Sequence, residues 1–267
     1  MTNGERFKTV AGAALAALLW MGGVANAAQC GNTAAGFDAW KKQFAEENRA
    51  GVGPTAIAAL MTTHYNAPTI SADRGQKSFH LSLDQFLAKR GGSVIASRGR
   101  SLKQSNAALF ASIQQRYGVP PGPLLAIWGM ETGFGAVHGN QNMLSAVATL
   151  AYDCRRTDYF TDQLNAALKL VDRGVFNANT VGSMHGEVGQ TQFMPKNVLE
   201  YGAGGSLDTP TGALMSTANF FKAHGWQAGA GYQPGEPNFR VIEAWNAATV
   251  YQQAIALIGQ KIDGGDH

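Results

Sequence analysis

The sequence predicts a mainly α-helical protein, and three observations carry that prediction. Apolar residues recur at spacings of three and four along most of the chain. Proline heads one such run at Pro54, and Gly118 with Pro120, Pro121 and Pro123 closes another. Only the stretch from Met184 to Phe193, rich in glycine and alternating in polarity, suggests strands, as one small hairpin. With 267 residues, 45% of them hydrophobic and 15% charged, the chain has the material for a sizeable core and lacks the composition of a disordered one.

At the N-terminus, Arg6 and Lys8 precede the apolar run Val10 to Trp20, then Gly22-Gly23 and the small-residue triplet Ala25-Asn26-Ala27. That order is the pattern of a secretory signal peptide over residues 1–27, cut after Ala27. The apolar run falls short of the roughly 20 residues needed to span a bilayer. Gln29, which is not small, argues against a lipid-modified Cys30. Cys30 and Cys154 are the chain's two cysteines. In an exported protein a single disulfide between them is the economical expectation, the alternative being two buried thiols.

Phe37, Trp40 and Phe44 share one helical face. Pro54-Thr55 opens a helical run through Tyr65, and Leu81 to Lys89 forms another. The long run Ser101 to Tyr117 offers Leu102, Ala107, Leu109, Phe110 and Ile113 for burial. Leu124, Leu125, Ile127 and Trp128 then make a compact apolar helix with Glu131 at its far end. Further helices are expected over Ser145 to Tyr152, Tyr159 to Asp172, Thr211 to His224 and Arg240 to Ile262.

A formal charge of +3 with no clustered Lys/Arg stripe excludes nucleic acid as a partner. The phosphate-binding loop, the dinucleotide fingerprint, the His-Glu-x-x-His zinc helix and the Gly-x-Ser-x-Gly elbow do not occur. The six histidines are scattered, with no pair at i, i+4, so neither a metal site nor a cofactor is expected.

Three segments carry chemistry. In Ala126 to Gly135, Glu131 follows aliphatic and aromatic residues whose surroundings would keep a carboxyl protonated near neutral pH, as an acid that protonates a departing oxygen must be. By itself such a residue reads equally as a solvated or ion-paired helix end. In Gly182 to Pro195, closely spaced glycines let a ligand approach the backbone, while Ser183, Gln190 and Gln192 offer groups suited to sugar hydroxyls and acetamido groups. A glycine-rich turn with solvent-facing polar groups is the plainer alternative. The third segment is Pro237-Asn238-Phe239-Arg240, followed by Trp245-Asn246 and by Tyr251 further along the same expected helix. An aromatic beside an amide suits a sugar, although Trp245 could equally be core.

Taken in this order, the segments resemble the membrane-bound lytic transglycosylase B family, glycoside hydrolase family 103, whose members cleave bacterial peptidoglycan. Trp128-Gly129-Met130-Glu131-Thr132, Gly189-Gln190-Thr191-Gln192-Phe193-Met194-Pro195 and Pro237-Asn238-Phe239 carry the likeness. So do Ala148 to Asp153 with Arg155-Arg156, and Ser216 to Trp226. The likeness runs from about Leu81 to Ile262 and is similar to the soluble, signal-peptide-bearing branch, in which a cysteine near the mature N-terminus accompanies one just before the Arg pair.

The resemblance implies a lysozyme-like (goose-type) helical catalytic core over residues 101–267 and an N-terminal helical extension over residues 28–100 packed on it. It implies a periplasmic, cofactor-free lytic transglycosylase, monomeric, acting on peptidoglycan glycan strands, with cell-wall or secretion machinery as a further class of partner. Glu131 would be the sole catalytic acid and then base. It would cleave the β-1,4 bond between N-acetylmuramic acid and N-acetylglucosamine and leave a 1,6-anhydromuramyl end. Ser183, Gln192 and Asn246 match positions near the acetamido groups and the acid; Tyr159, Arg155 and Arg156 match positions lining the glycan and peptide cleft. Phe220 and Trp245 stand where a tyrosine is common, keeping a stacking surface without its hydroxyl. Tyr201 to Asp208 replaces an Asp-rich calcium loop and, with one carboxylate, should not bind calcium. Glu187 stands where some relatives have a small residue, which opens a second reading, a muramidase-type hydrolase using Glu131 and Glu187. A weakly active peptidoglycan-binding scaffold is the reading outside enzymes.

Overall fold

The computed structural model describes Met1, residues 28–75 and residues 81–264. The expected signal segment therefore lies, but for Met1, outside the described residues.

The helix α7 (Pro121–Thr132) is apolar on every side, and every residue of it except Glu131 is buried. A helix apolar all round belongs at the centre of a domain, and α7 is there. It packs against α5 (Gly92–Ser105), α11 (Pro210–Ala223) and, most extensively, α13 (Thr249–Asp263). The α7–α13 approach is set by glycine. A Cβ on Gly122 would lie 2.3 Å from the Gly259 carbonyl oxygen, so only a residue without one fits there. Asp263 then accepts the Gly122 N–H at 2.8 Å, capping the start of α7.

A second buried layer is α8 (Met143–Tyr152), with all its residues buried, packed on α9 (Thr157–Asp172). The helix α10 (Pro195–Tyr201) lies on α9. The N-terminal helices α1 (Phe37–Glu47), α2 (Pro54–Met61) and α3 (Ala67–Arg74) cover α8 and α9. Asp172 at the end of α9 accepts the N–H groups of Gly53 at 2.6 Å and Ala56 at 3.1 Å, which fixes the start of α2. The remaining α-helices of the described residues are α4 (Leu83–Arg90), α6 (Ala107–Tyr117) and α12 (Phe239–Trp245). Among the described residues a hydrophobic cluster runs from Phe37 to Ile262. Among the described residues no helix is long and apolar enough to cross a membrane.

The expected Cys30–Cys154 disulfide is present, with Cα atoms 5.0 Å apart. It pins the chain before α1 to the end of α8, where the Gly31 N–H also donates to the Tyr152 carbonyl at 2.9 Å.

The mainly α class stands, while several boundaries differ from the expectation. The run from Pro54 ends at Met61, and a new helix starts at Ala67, capped by the Asn66 side chain. The run Ser101 to Tyr117 is two helices, the first beginning at Gly92. Asn106 separates them by donating its side-chain amide to the Leu102 carbonyl at 3.0 Å. The helix α5 thus runs unbroken across residues 100 and 101. The run Arg240 to Ile262 is also two helices: Asn246 is extended, and its Oδ1 accepts the Ala248 N–H at 2.9 Å.

The small β element is not the expected hairpin. Its strands are β1 (Gln141–Asn142) and β2 (Val181–Gly182), antiparallel, with Gln141 opposite Gly182. Between Met184 and Phe193 only the bridge Val188–Phe193 forms. Positive φ at Gly186 (87°), Gly189 (74°) and Gln192 (54°) curls this stretch into turns, which an extended ladder cannot follow.

Candidate active site

The end of α7 is tied down before it reaches the surface. The Thr132 hydroxyl donates to the Gln190 carbonyl at 2.6 Å and accepts the Gly135 N–H at 3.0 Å. The helix then stops on Gly133 in the left-handed region (φ 58°). These bonds join the segments around Glu131 and Gln190, fixing where the carboxyl points.

Glu131 opens into a cleft of about 720 Å3. Burial pushes its pKa up from 4.5 to about 7. Three groups modify that effect. The Tyr251 hydroxyl donates to Oε1 and favours the charged form, the negative charge of Glu187 disfavours it, and the positive charge of Arg90 favours it. Arg90 is held by its own contacts, donating to the Met130 carbonyl at 3.4 Å with its guanidinium over the Phe86 ring at 5.5 Å. Near neutral pH a large share of Glu131 is therefore the protonated carboxylic acid, able to give up its proton.

Seven of the expected catalytic and sugar-binding residues line this one cleft, Glu131, Arg156, Tyr159, Gln192, Phe220, Trp245 and Asn246, and so do Glu187 and Tyr251. Gln192, with positive φ, donates its side-chain amide to the Gly189 carbonyl at 2.9 Å. Phe220 is buried, stacked on His224 with ring centres 3.9 Å apart and edge-on to Trp245 at 5.2 Å. Tyr159, at the opposite extreme, is 49% exposed. Arg156 donates to Asp73 of α3 and lies over the Phe160 ring at 4.8 Å.

Three expected residues do not line it. Arg155 donates to the same buried Asp73. Gln190 is buried, its side-chain amide donating to the Asp208 carbonyl at 2.5 Å. The Ser183 hydroxyl donates to Glu187, and Glu187 does line the cleft. A larger cavity of about 960 Å3, bordered by Gly202 and by Gly204 to Asp208, shares Gln192 with the cleft but does not include Glu131.

The partners of Glu131 were the part that sequence reasoning missed. The sequence groups Tyr251 with the sugar-side aromatics on the helix of Trp245. The break at Asn246 puts it on α13 instead, under Glu131. Arg90 carries no pattern at all, and neither does Asp73, the partner of Arg155 and Arg156. The one available signal was chemical: a carboxyl in an apolar helix needs a donor somewhere.

Residues 36–236 match the family model for the transglycosylase SLT domain. The chain belongs to that family. This transglycosylase-domain protein is 39% identical over 139 residues to membrane-bound lytic murein transglycosylase B of Escherichia coli (strain K12). The match takes in 46% of this chain but only 38% of the length of that relative. Among solved structures, SltB3 of Pseudomonas aeruginosa in complex with NAG-anhNAM-pentapeptide superposes with a TM-score of 0.78 and 25% identity, over 86% of this chain and 80% of that one. The same enzyme with NAG-NAM-pentapeptide gives a TM-score of 0.78 and 26% identity, with equal coverage. The soluble lytic transglycosylase SltB1 of the same organism shares the fold, with a TM-score of 0.74 at 21% identity over 83% of this chain and 97% of that one. The lysozyme-like helical fold expected of the transglycosylase family is the fold observed.

Proposed function

We propose that this protein is an exported lytic transglycosylase that cleaves the β-1,4 bond between N-acetylmuramic acid and N-acetylglucosamine in peptidoglycan. The observation that carries the reading is Glu131: one carboxyl, protonated to about pH 7 by burial, at the wall of an open cleft. The names of the relatives point to the same chemistry, and two complexes of SltB3 hold peptidoglycan fragments.

In this mechanism Glu131 gives its proton to the bridging oxygen as the C1–O bond breaks. The muramyl C6 hydroxyl supplies the electron pair that forms the new bond to C1, and its proton passes to the Glu131 carboxylate. The acid is regenerated, no water is consumed, and the product is a 1,6-anhydro ring. An intramolecular nucleophile has a high effective molarity, so one carboxyl suffices. Tyr251, donating to Oε1, steadies the charge that appears on Glu131 between the two proton transfers. Arg156, Tyr159, Gln192, Phe220, Trp245 and Asn246 are the surface on which the glycan lies. The helices before residue 100 are read as an extension that furnishes Phe86 and Arg90 to one wall. The Cys30–Cys154 bridge supports export through the signal segment to an oxidising periplasm.

Glu187 on the same cleft favours a second reading, hydrolysis by a carboxyl pair. Mass spectrometry of the soluble products from purified peptidoglycan separates the two. Anhydromuramyl products from the wild type, lost in Glu131→Gln, are expected. Reducing ends would make the protein a hydrolase, and unchanged cleavage by Glu131→Gln would remove Glu131 from the mechanism.

A further inference from the structure

Ser183 was expected to meet the sugar, yet its bonding capacity is used inside the protein. A serine hydroxyl has one proton to give and two lone pairs to offer. The proton goes to a carboxylate oxygen of Glu187. The lone pairs accept the N–H groups of His185 at 3.1 Å and of Glu187 at 3.2 Å. The turn that makes these bonds is closed by two more: the Ser183 N–H donates to the Glu187 carbonyl at 2.8 Å, and the Gly186 N–H to the Ser183 carbonyl at 3.1 Å. It is also pressed onto α8, where a Cβ on Gly186 would meet Val147 Cγ2 at 2.2 Å. The turn cannot swing away to free the hydroxyl without giving up that packing.

What this turn presents to the cleft is the Glu187 carboxylate, on the same cleft as Glu131. A carboxylate offers about four lone-pair sites over its two oxygens, and Ser183 takes one. The charge of Glu187 is felt by three groups of the cleft, Glu131, Tyr159 and Tyr251, which puts it among them.

We infer that Glu187, and not Ser183, is the specificity-determining contact on this wall: its carboxylate accepts a hydrogen bond from the glycan, from an acetamido N–H or a sugar hydroxyl, and Ser183 is the positioning residue that aims it. The inference rests on reading the cleft as a glycan site. It also separates two kinds of cleft wall, since a hydroxyl can serve donors and acceptors alike while a carboxylate rewards donors only.

The test measures binding of soluble, uncrosslinked glycan strands to the full-length protein carrying Glu131→Gln, so that the ligand survives. In that background Glu187→Ala is expected to weaken binding about 10-fold or more, the usual scale for losing a hydrogen bond to a charged group. Glu187→Gln, which keeps the shape and a neutral acceptor, should lose a smaller factor. Ser183→Ala should weaken binding when Glu187 is present and add nothing when Glu187 is already alanine. Circular dichroism and thermal melting confirm that each variant is folded. Binding unchanged in both Glu187 variants, or Ser183→Ala costing as much without Glu187 as with it, overturns the inference. If the parent binds no glycan, the inference falls together with the reading of the cleft. If it binds as expected while the wild type releases no product, the activity alone is lost.

Discussion

Tyr251 donates its hydroxyl to the carboxyl of Glu131 from 120 residues further along the chain, across the α7–α13 packing that forms the centre of the molecule. The bond opposes burial: donation to a carboxyl favours its charged form, and burial disfavours it, which leaves Glu131 at about 7. Burial and Tyr251 together therefore set the pH at which Glu131 ionises.

Removing that hydroxyl should move the pH profile in a defined direction. In Tyr251→Phe, Glu131 loses a group that favours ionisation, so its pKa rises above about 7 and the protonated acid persists to higher pH. The alkaline limb of kcat/KM on peptidoglycan is expected to shift upward. On the proposed mechanism, turnover at the optimum should fall about 10-fold, because the Glu131 carboxylate, which there takes back a proton, loses its orienting donor. A limb that stays put would mean that Tyr251 is packing only.

The same carboxyl makes stability depend on pH. Glu131 binds its proton more tightly folded, at about 7, than unfolded, near 4.5. Its contribution is fully present below 4.5 and is lost as pH rises through 7, a change of about 3 kcal/mol at most. Glu131→Gln keeps an acceptor for Tyr251 and has no proton to lose. It should match the wild type at pH 4 and exceed it by up to ~3 kcal/mol at pH 8, as read from urea midpoints. Equal midpoints at both pH values would rule out the linkage.

How much of this could be read from sequence follows from the range of the forces involved. The helices α7, α9 and α11 were legible because long apolar or one-sided runs announce them. Their breaks were not: Asn106 and Asn246 end helices by side-chain bonds to neighbouring backbone, which periodicity does not register. The seven-residue helix α10 starts on Pro195 and is too short to show a pattern. Glu131 was legible as a carboxyl after an apolar run. Its donor Tyr251 and the anchor Asp73 were not, since both act through tertiary contacts. The diversion of Ser183 to Glu187 depends on a turn of five residues whose shape no local residue pattern encodes.

Asp73 is the case where structure assigns different weights to two adjacent residues. Its side chain is 1% exposed and accepts from both Arg155 and Arg156, which are 44% and 39% exposed. Asp73→Ala leaves two guanidinium groups without their shared partner, and a loss of about 2 kcal/mol is expected after allowing for their contact with water. Only Arg156 lines the cleft. Arg156→Ala should therefore raise KM for peptidoglycan several-fold, whereas Arg155→Ala should lower the melting temperature and leave KM as it is. Equal effects on KM would place both arginines on the glycan.

The Cys30–Cys154 bridge closes a loop spanning 124 positions. The chain-entropy argument gives roughly 5 kcal/mol for a loop of that length, and native disulfides usually return about 2–5 kcal/mol. Two outcomes of cutting it can be distinguished. If the N-terminal segment through α1 were merely tethered, reduction would release it and the rest of the fold would melt as before. It is more than tethered: Phe37 and Trp40 lie 5.5 Å and 5.6 Å from the Tyr152 ring, and all three belong to the main hydrophobic cluster. A double Cys30→Ser, Cys154→Ser variant should therefore lose global stability, by about 2–5 kcal/mol, in a single cooperative transition. Its KM should be unchanged, because neither cysteine lines the cleft. A wild-type midpoint with early hydrogen exchange confined to the residues around Phe37 would show instead that this segment unfolds on its own.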